Sequence, residues 1–133
     1  MLCLPDTNVW INHLNGTSSI LQTRLVAHPP SQIMMCDVVK AELYYGAFKS
    51  ARRDANLAVL ESLFSEFESF SFDGKAARII GEIRADLARK GTLIGPYDLQ
   101  IAAIAVANEC VLVSHNTGEF SRIAGLLLED WEV

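Results

Sequence analysis

Apolar positions along the chain fall into short runs and helical stripes that alternate from the first residues to the last. Leu2 to Leu4 is an apolar run that stops at Asp6-Thr7-Asn8, and apolar residues resume from Val9 to Leu14 until Asn15-Gly16 breaks them. This is the pattern of a buried strand feeding a helix, with Thr7 or Asn8 suited to cap it. Ser18 or Ser19 starts a second helix with Ile20, Leu21, Leu25 and Val26 as its stripe, ended before Pro29-Pro30. Gln32 to Cys36 reads as a brief strand, and Asp37 as the cap of a helix through Phe48 that packs through Val39, Leu43, Tyr44, Ala47 and Phe48. Glu42 falls on another face of that helix, with Val38 one turn earlier and Tyr45 and Gly46 one turn later.

Leu57, Leu60, Leu63, Phe64 and Phe67 have helical spacing, whereas Phe70 and Phe72 alternate with serines, which predicts an edge strand over Glu68–Phe72. Ala76, Ile79, Ile80, Ile83 and Leu87 form an amphipathic stripe ended by Gly91. Pro96 suits the first position of the next helix, which is apolar on all sides from Ile101 to Ala107 and is expected to be the most buried. Cys110 to Val113 is a strand that halts at Ser114-His115-Asn116. Glu119-Phe120 begins a short helix, and Leu126 to Leu128 leads a last strand into Glu129-Asp130-Trp131. Strands alternate with helices throughout, which predicts an α/β fold with a parallel sheet covered on both faces.

At 133 residues the chain fits one domain, 1–133, able to bury roughly 70% of its unfolded surface without staples. Half the residues are hydrophobic and a fifth are charged, as in a soluble globular protein. No apolar run approaches the ~20 residues of a membrane span, and Met1-Leu2-Cys3 opens no signal peptide, so a cytoplasmic protein is expected. Cys3, Cys36 and Cys110 are widely spaced in or beside apolar runs and read as buried thiols. The net charge of −5 argues at first against a nucleic-acid partner, but four of the sixteen acids are candidates for one metal site whose cations would invert the sign locally.

Those four are Asp6 after a strand, Glu42 in a helix, and Asp98 and Glu119 at helix beginnings. Right-handed crossovers bring the ends of the first strand and the strand ending at Val113 to one sheet edge, where α/β folds bind ligands. Two carboxylates ~4 Å apart repel by about 4 kcal/mol at an effective dielectric of 20, so a cluster protonates, spreads or shares a cation. The candidate ligands are all oxygens, with Thr7, Asn8 and Ser114 able to support them, and hard oxygen sets select Mg²⁺ or Mn²⁺ over zinc. Other chemistries fit poorly. Asn8 stands where a haloacid-dehalogenase phosphatase needs Asp, Gly74-Lys75 lacks the upstream glycine of a phosphate-binding loop, and His13, His28 and His115 are too scattered for a triad. His115 reads either as a neighbour of the site or as a solvated loop histidine, and the second reading is favoured.

Asp6-Thr7-Asn8, Glu42-Leu43 with Gly46, Pro96-Tyr97-Asp98-Leu99-Gln100-Ile101-Ala102-Ala103, and Val113-Ser114-His115-Asn116-Thr117-Gly118-Glu119-Phe120 occur in that order. Together they resemble the PIN-domain family, most closely VapC toxins of bacterial toxin–antitoxin pairs, over essentially the whole chain. The resemblance implies a three-layer α/β/α sandwich with a mainly parallel sheet of about five strands. It also implies a magnesium- or manganese-dependent endoribonuclease that cuts structured RNA, such as a transfer-RNA or ribosomal-RNA loop. A homodimer inhibited by a small cognate antitoxin is implied as well, and the antitoxin is expected to present Arg or Lys to the carboxylates.

Family roles carry over to Asp6, Glu42 and Asp98 as metal ligands. At the fourth position some relatives have Asp where this chain has Asn116, which leaves Glu119 as the candidate. Asp6 and Asp98 are expected to hold the principal metal, with Glu42 binding it or orienting water, and Glu119 a second ion if one binds. The rival reading is a PIN-like scaffold that binds RNA or protein without cutting. Loss of an acid would favour it, and the three core acids are all present. Lys49, Arg52 and Arg53 form a small basic cluster that suits either phosphate contact or a solvated turn.

Overall fold

The computed structural model describes residues 1–133. The elements are β1 (Cys3–Pro5), α1 (Thr7–Asn15), α2 (Ser19–Val26), β2 (Met35–Cys36), α3 (Asp37–Phe48), α4 (Arg53–Ser65), β3 (Ser69–Phe70), α5 (Gly74–Arg89), α6 (Pro96–Ala107), β4 (Val111–Val113), α7 (Thr117–Phe120) and β5 (Leu127–Glu129). The predicted order of strands and helices is present in full, and differences lie mostly at the ends. Asp6 itself caps α1, its side chain accepting from Val9 N, where the sequence favoured Thr7 or Asn8. Cys36 rather than Asp37 precedes α3 at the cap position, and Asp37 is in its first turn. The edge strand expected over Glu68–Phe72 pairs only at Ser69–Phe70.

All ladders are parallel. β1 pairs with β4 in the register Leu4↔Leu112, β4 with β5 as Leu112↔Leu128, and β2 with β3 as Met35↔Ser69. A single parallel bridge between Cys3 and Ile33, with Met34 N donating to Cys3 O at 2.8 Å, sets β2 on the free side of β1. The five strands therefore stand in the row β3-β2-β1-β4-β5, with ladders of two and three joined by that bridge.

Every residue of β1 and β4 is buried. Successive residues of a strand face opposite sides, so both faces of the sheet centre are covered. This is the expected three-layer arrangement. α6 is the most deeply buried helix, with Leu99, Ile101 to Ala105 and Ala107 all inside. Pro96 opens it at a position where a missing N–H costs nothing.

The apolar stripes are narrower than the sequence suggests. Short α2 buries only Leu21 and Leu25, and leaves Ile20 and Val26 exposed because i and i+4 alone face the core. Phe48, at the last turn of α3, is also exposed. Gly91 ends α5 in the left-handed conformation, φ 67°, as a helix-stopping glycine does. No helix is long and apolar enough to cross a membrane. The three cysteines are free and buried.

Candidate active site

Strand order reverses between β1 and β4: the chain runs outward from β1 through β2 and β3, and from β4 to β5 on the other side. A crevice opens at the carboxyl ends of the strands that flank such a reversal. Asp6 and Ser114 are the residues that immediately follow β1 and β4 there. Asp6 N donates to Val113 O at 2.9 Å and Ser114 N to Glu129 O at 3.0 Å, so both extend the parallel ladder by one step before the chain turns away.

Asp6 is only 5% exposed, and its Oδ1 accepts from Val9 N at 2.9 Å. Burial is the main cause that pushes its carboxyl above the ordinary carboxylate range. The Ser114 hydroxyl and the Val9 N–H oppose that rise, and the charges of Glu132 and Glu42 add to it. Ser114 is fully buried and its Oγ accepts from Asn116 N at 2.9 Å, which shapes the turn after β4.

Glu42 projects from α3, and the Thr7 hydroxyl donates to its Oε1 at 2.6 Å. Asp98 lies in the first turn of α6, half-buried. Its carboxyl is pushed up to about 6, first by burial and then by the charges of Asp6, Glu119 and Glu42. Asp98 is thus within electrostatic reach of the other three acids named from the sequence, Asp6, Glu42 and Glu119. Glu119, in the first turn of α7, accepts from Asn116 Nδ2 at 3.0 Å on Oε2. Asn116 therefore stands as the partner that steadies Glu119. Asn8 is exposed and lines a polar cleft with Asp6.

That cleft, about 340 Å³, is walled by Asp6, Asn8, Asn12, His115, Asn116 and Glu132, without a hydrophobic side chain. Its far side was not legible in the sequence. His115 Nδ1 and Asp130 Oδ2 are 2.9 Å apart, and this hydrogen bond, with the charge of Asp130, raises the imidazole pKa. The ring is exposed as expected but is tethered, not free. Glu132 Oε1 accepts from Asn12 Nδ2 at 2.8 Å, and its Oε2 is buried with no partner. His115, Asp130 and Glu132 form the one trio of such side chains whose ligand atoms all lie within 4.8 Å of one another. No three of Asp6, Glu42, Asp98 and Glu119 are packed so tightly, which mutual repulsion of carboxylates accounts for.

The donor chemistry of the four acids fits a hard divalent cation. All donors are oxygens, two are raised in pKa first by burial and then by neighbouring carboxylate charge, and Thr7 and Asn116 pin the other two. Mg²⁺ is held by one or two carboxylates and keeps several waters, so it does not demand the close trio that a fully protein-ligated metal needs.

The model of the PIN domain matches residues 3–126. The chain belongs to the PIN-domain family. Within it the likeness is to VapC proteins: it is 40% identical over 126 residues to the tRNA(fMet)-specific endonuclease VapC of Salmonella typhimurium, covering 95% of each chain. Ribonuclease VapC2 of Rickettsia felis is 35% identical over 133 residues, covering 99% of both. The structure of DNA-bound VapBC from Salmonella typhimurium superposes with a TM-score of 0.92 at 40% identity, covering 98% of this chain and 99% of that one. The PIN fold and its VapC branch, both implied by the four sequence motifs, are thereby established.

Proposed function

We propose that this PIN-domain chain is the toxin of a VapBC-type toxin–antitoxin pair and a divalent-metal-dependent endoribonuclease acting on structured RNA. The observation that carries the reading is the edge formed by Asp6, Glu42, Asp98 and Glu119, where Asp98 is raised to about 6 by burial and the other three charges. Relatives whose names record ribonuclease and tRNA(fMet)-specific endonuclease activity support it.

Asp6 and Asp98 would hold a magnesium or manganese ion, with Glu119 available to a second. When bound, such an ion acts as a Lewis acid toward the phosphate and lowers the pKa of water. Glu42, fixed by Thr7, accepts a hydrogen bond from the incoming water and aims it in line with the leaving 3′-oxygen. Buried Asp6 keeps its position by capping α1, so the carboxylate is placed before any substrate arrives. Asn116 Nδ2 donates to Glu119 Oε2 and steadies that carboxylate.

The partner reading follows from the same charge pattern. A small antitoxin whose Arg or Lys reaches the carboxylates would neutralise them and exclude metal or RNA. The homodimer belongs to this proposal too, and sedimentation of the purified chain tests it. The nuclease itself is tested by incubating the purified chain with mixed transfer RNA in Mn²⁺. Discrete fragments from the parent, and none from Asp98→Asn or in EDTA, are expected. Intact RNA with the parent in both Mg²⁺ and Mn²⁺ overturns the reading.

A further inference from the structure

A groove of about 560 Å³ leads away from Glu42 along α3, and Tyr45, Gly46, Lys49 and Tyr97 line it. Both tyrosines are conspicuously open, Tyr45 at 67% and Tyr97 at 55% exposure. They come from different helices, α3 and α6, and both flank a proposed site carboxylate: Tyr97 precedes Asp98, and Tyr45 follows Glu42 by three positions. Lys49 Nζ sits over the Tyr45 ring, 4.7 Å from its centroid. Glu42, Tyr45, Gly46 and Lys49 make one stripe at i, i+3, i+4 and i+7, running about 10 Å along the axis.

Gly46 keeps the floor of this groove open. It lies mid-helix, where glycine costs about 1 kcal/mol relative to alanine, yet a Cβ there would meet no atom within 4 Å. Packing therefore does not require glycine at this position. A side chain would simply fill the groove.

We infer that this groove is a stacking subsite for an unpaired nucleotide of the RNA, with its base against Tyr45 and Tyr97 and a flanking phosphate at Lys49. The inference rests on the nuclease reading above and says where on this chain one unpaired nucleotide would sit. Flat π faces beside an ammonium, about a nucleotide's reach from phosphodiester-cutting acids, match base plus phosphate better than they match an aliphatic side chain. Bases within a duplex already stack on one another, so only an unpaired base can enter.

The test uses the intact chain carrying Asp98→Asn, so that RNA survives. Binding in Mg²⁺ is measured for a short fluorescein-labelled unstructured RNA and for a matched strand of abasic ribose phosphates. The RNA is expected to bind roughly tenfold or more tighter than the abasic strand. Tyr45→Ala and Tyr97→Ala should each remove roughly tenfold of that preference, while phenylalanine at either position retains it. Gly46→Leu should erase the preference without lowering the melting temperature. Lys49→Ala should weaken both strands alike and reduce the salt slope by about one ion.

Equal binding of the two strands overturns the subsite, and cleavage of RNA by the parent in Mn²⁺ would then leave the nuclease reading standing. Base preference without cleavage supports the subsite and sinks the nuclease. Alanine variants that keep the base preference but lose the partner protein overturn the assignment and give the groove to that partner.

Discussion

Thr7 and Glu42, 35 positions apart, are joined by a 2.6 Å hydrogen bond from the threonine hydroxyl to Oε1. The bond ties the first turn of α1 to the middle of α3, so the residue after Asp6 fixes the second acid of the proposed site. Thr7→Val removes the donor with little change in shape. It should cost at most about 1 kcal/mol of stability, because Glu42 is partly exposed and water can replace the bond. Its kcat should fall roughly tenfold, the cost of about 1.4 kcal/mol in transition-state positioning. Thr7→Ser, which restores the hydroxyl, should recover most of that rate. Equal kcat for valine and parent would show that Glu42 needs no support.

Asp6 has two roles that different substitutions separate. As helix cap it accepts from Val9 N, and as a buried acid it faces the site. Asparagine caps as well as aspartate, so Asp6→Asn should melt no lower than the metal-free parent while cleavage falls more than roughly a hundredfold. Asp6→Ala loses the cap as well and should cost about 1 kcal/mol or more in stability. Thermal melts in EDTA beside cleavage rates decide this. A large destabilisation by asparagine would assign Asp6 to the fold alone.

The legible part of the candidate site is the part that local chemistry marks. Asp6 interrupts an apolar run, Pro96 opens a helix just before Asp98, and Glu119 follows the polar stop after Val113. The illegible part depends on pairing across the sheet. His115 meets Asp130 15 positions away because β4 and β5 run side by side, and no periodicity records which polar loop residue ends opposite which. The same holds for the two-residue ladder of β2 and β3, which owes its existence to a distant partner. Ile20 and Val26 mislead for another reason. Hydrophobic residues on a short surface helix need not all face inward, since folded surfaces carry much apolar area.

Asp98 makes stability depend on pH in a direction opposite to an ordinary ion-paired carboxylate. Its pKa is about 6 in the fold against 3.8 for the free group, owing first to burial and then to Asp6, Glu119 and Glu42. Between these values the folded state binds more protons than the unfolded one, so the metal-free protein loses stability from this group as pH rises from about 4 through 6. Asp6, raised mainly by burial, acts in the same sense. Asp98→Asn should therefore melt higher than the parent at pH 7 in EDTA, and the gap should close toward pH 4. Divalent-ion affinity should rise through pH 6 as the carboxylate sheds its proton. Melts at several pH values and calorimetric titration with Mn²⁺ check both. A gap that widens on acidification would contradict the assigned cause.

The chemistry of the cut leaves a signature on the RNA ends. The site offers oxygen donors and no pair of histidines to move protons between the ribose 2′-hydroxyl and the leaving group; His115 stands with Asp130, and His13 is bound to Gln22. Attack by water in line with the 3′-oxygen breaks the P–O3′ bond and leaves a 5′-phosphate on one fragment and a 3′-hydroxyl on the other. EDTA should abolish the cleavage, and Mg²⁺ or Mn²⁺ should restore it. A 2′-O-methyl group at the cleavage position should weaken binding yet leave the bond cleavable, because the 2′-oxygen takes no part in bond making. End-group mapping of the fragments decides the matter: 2′,3′-cyclic phosphate formed in EDTA would rule out attack by water at this acidic edge.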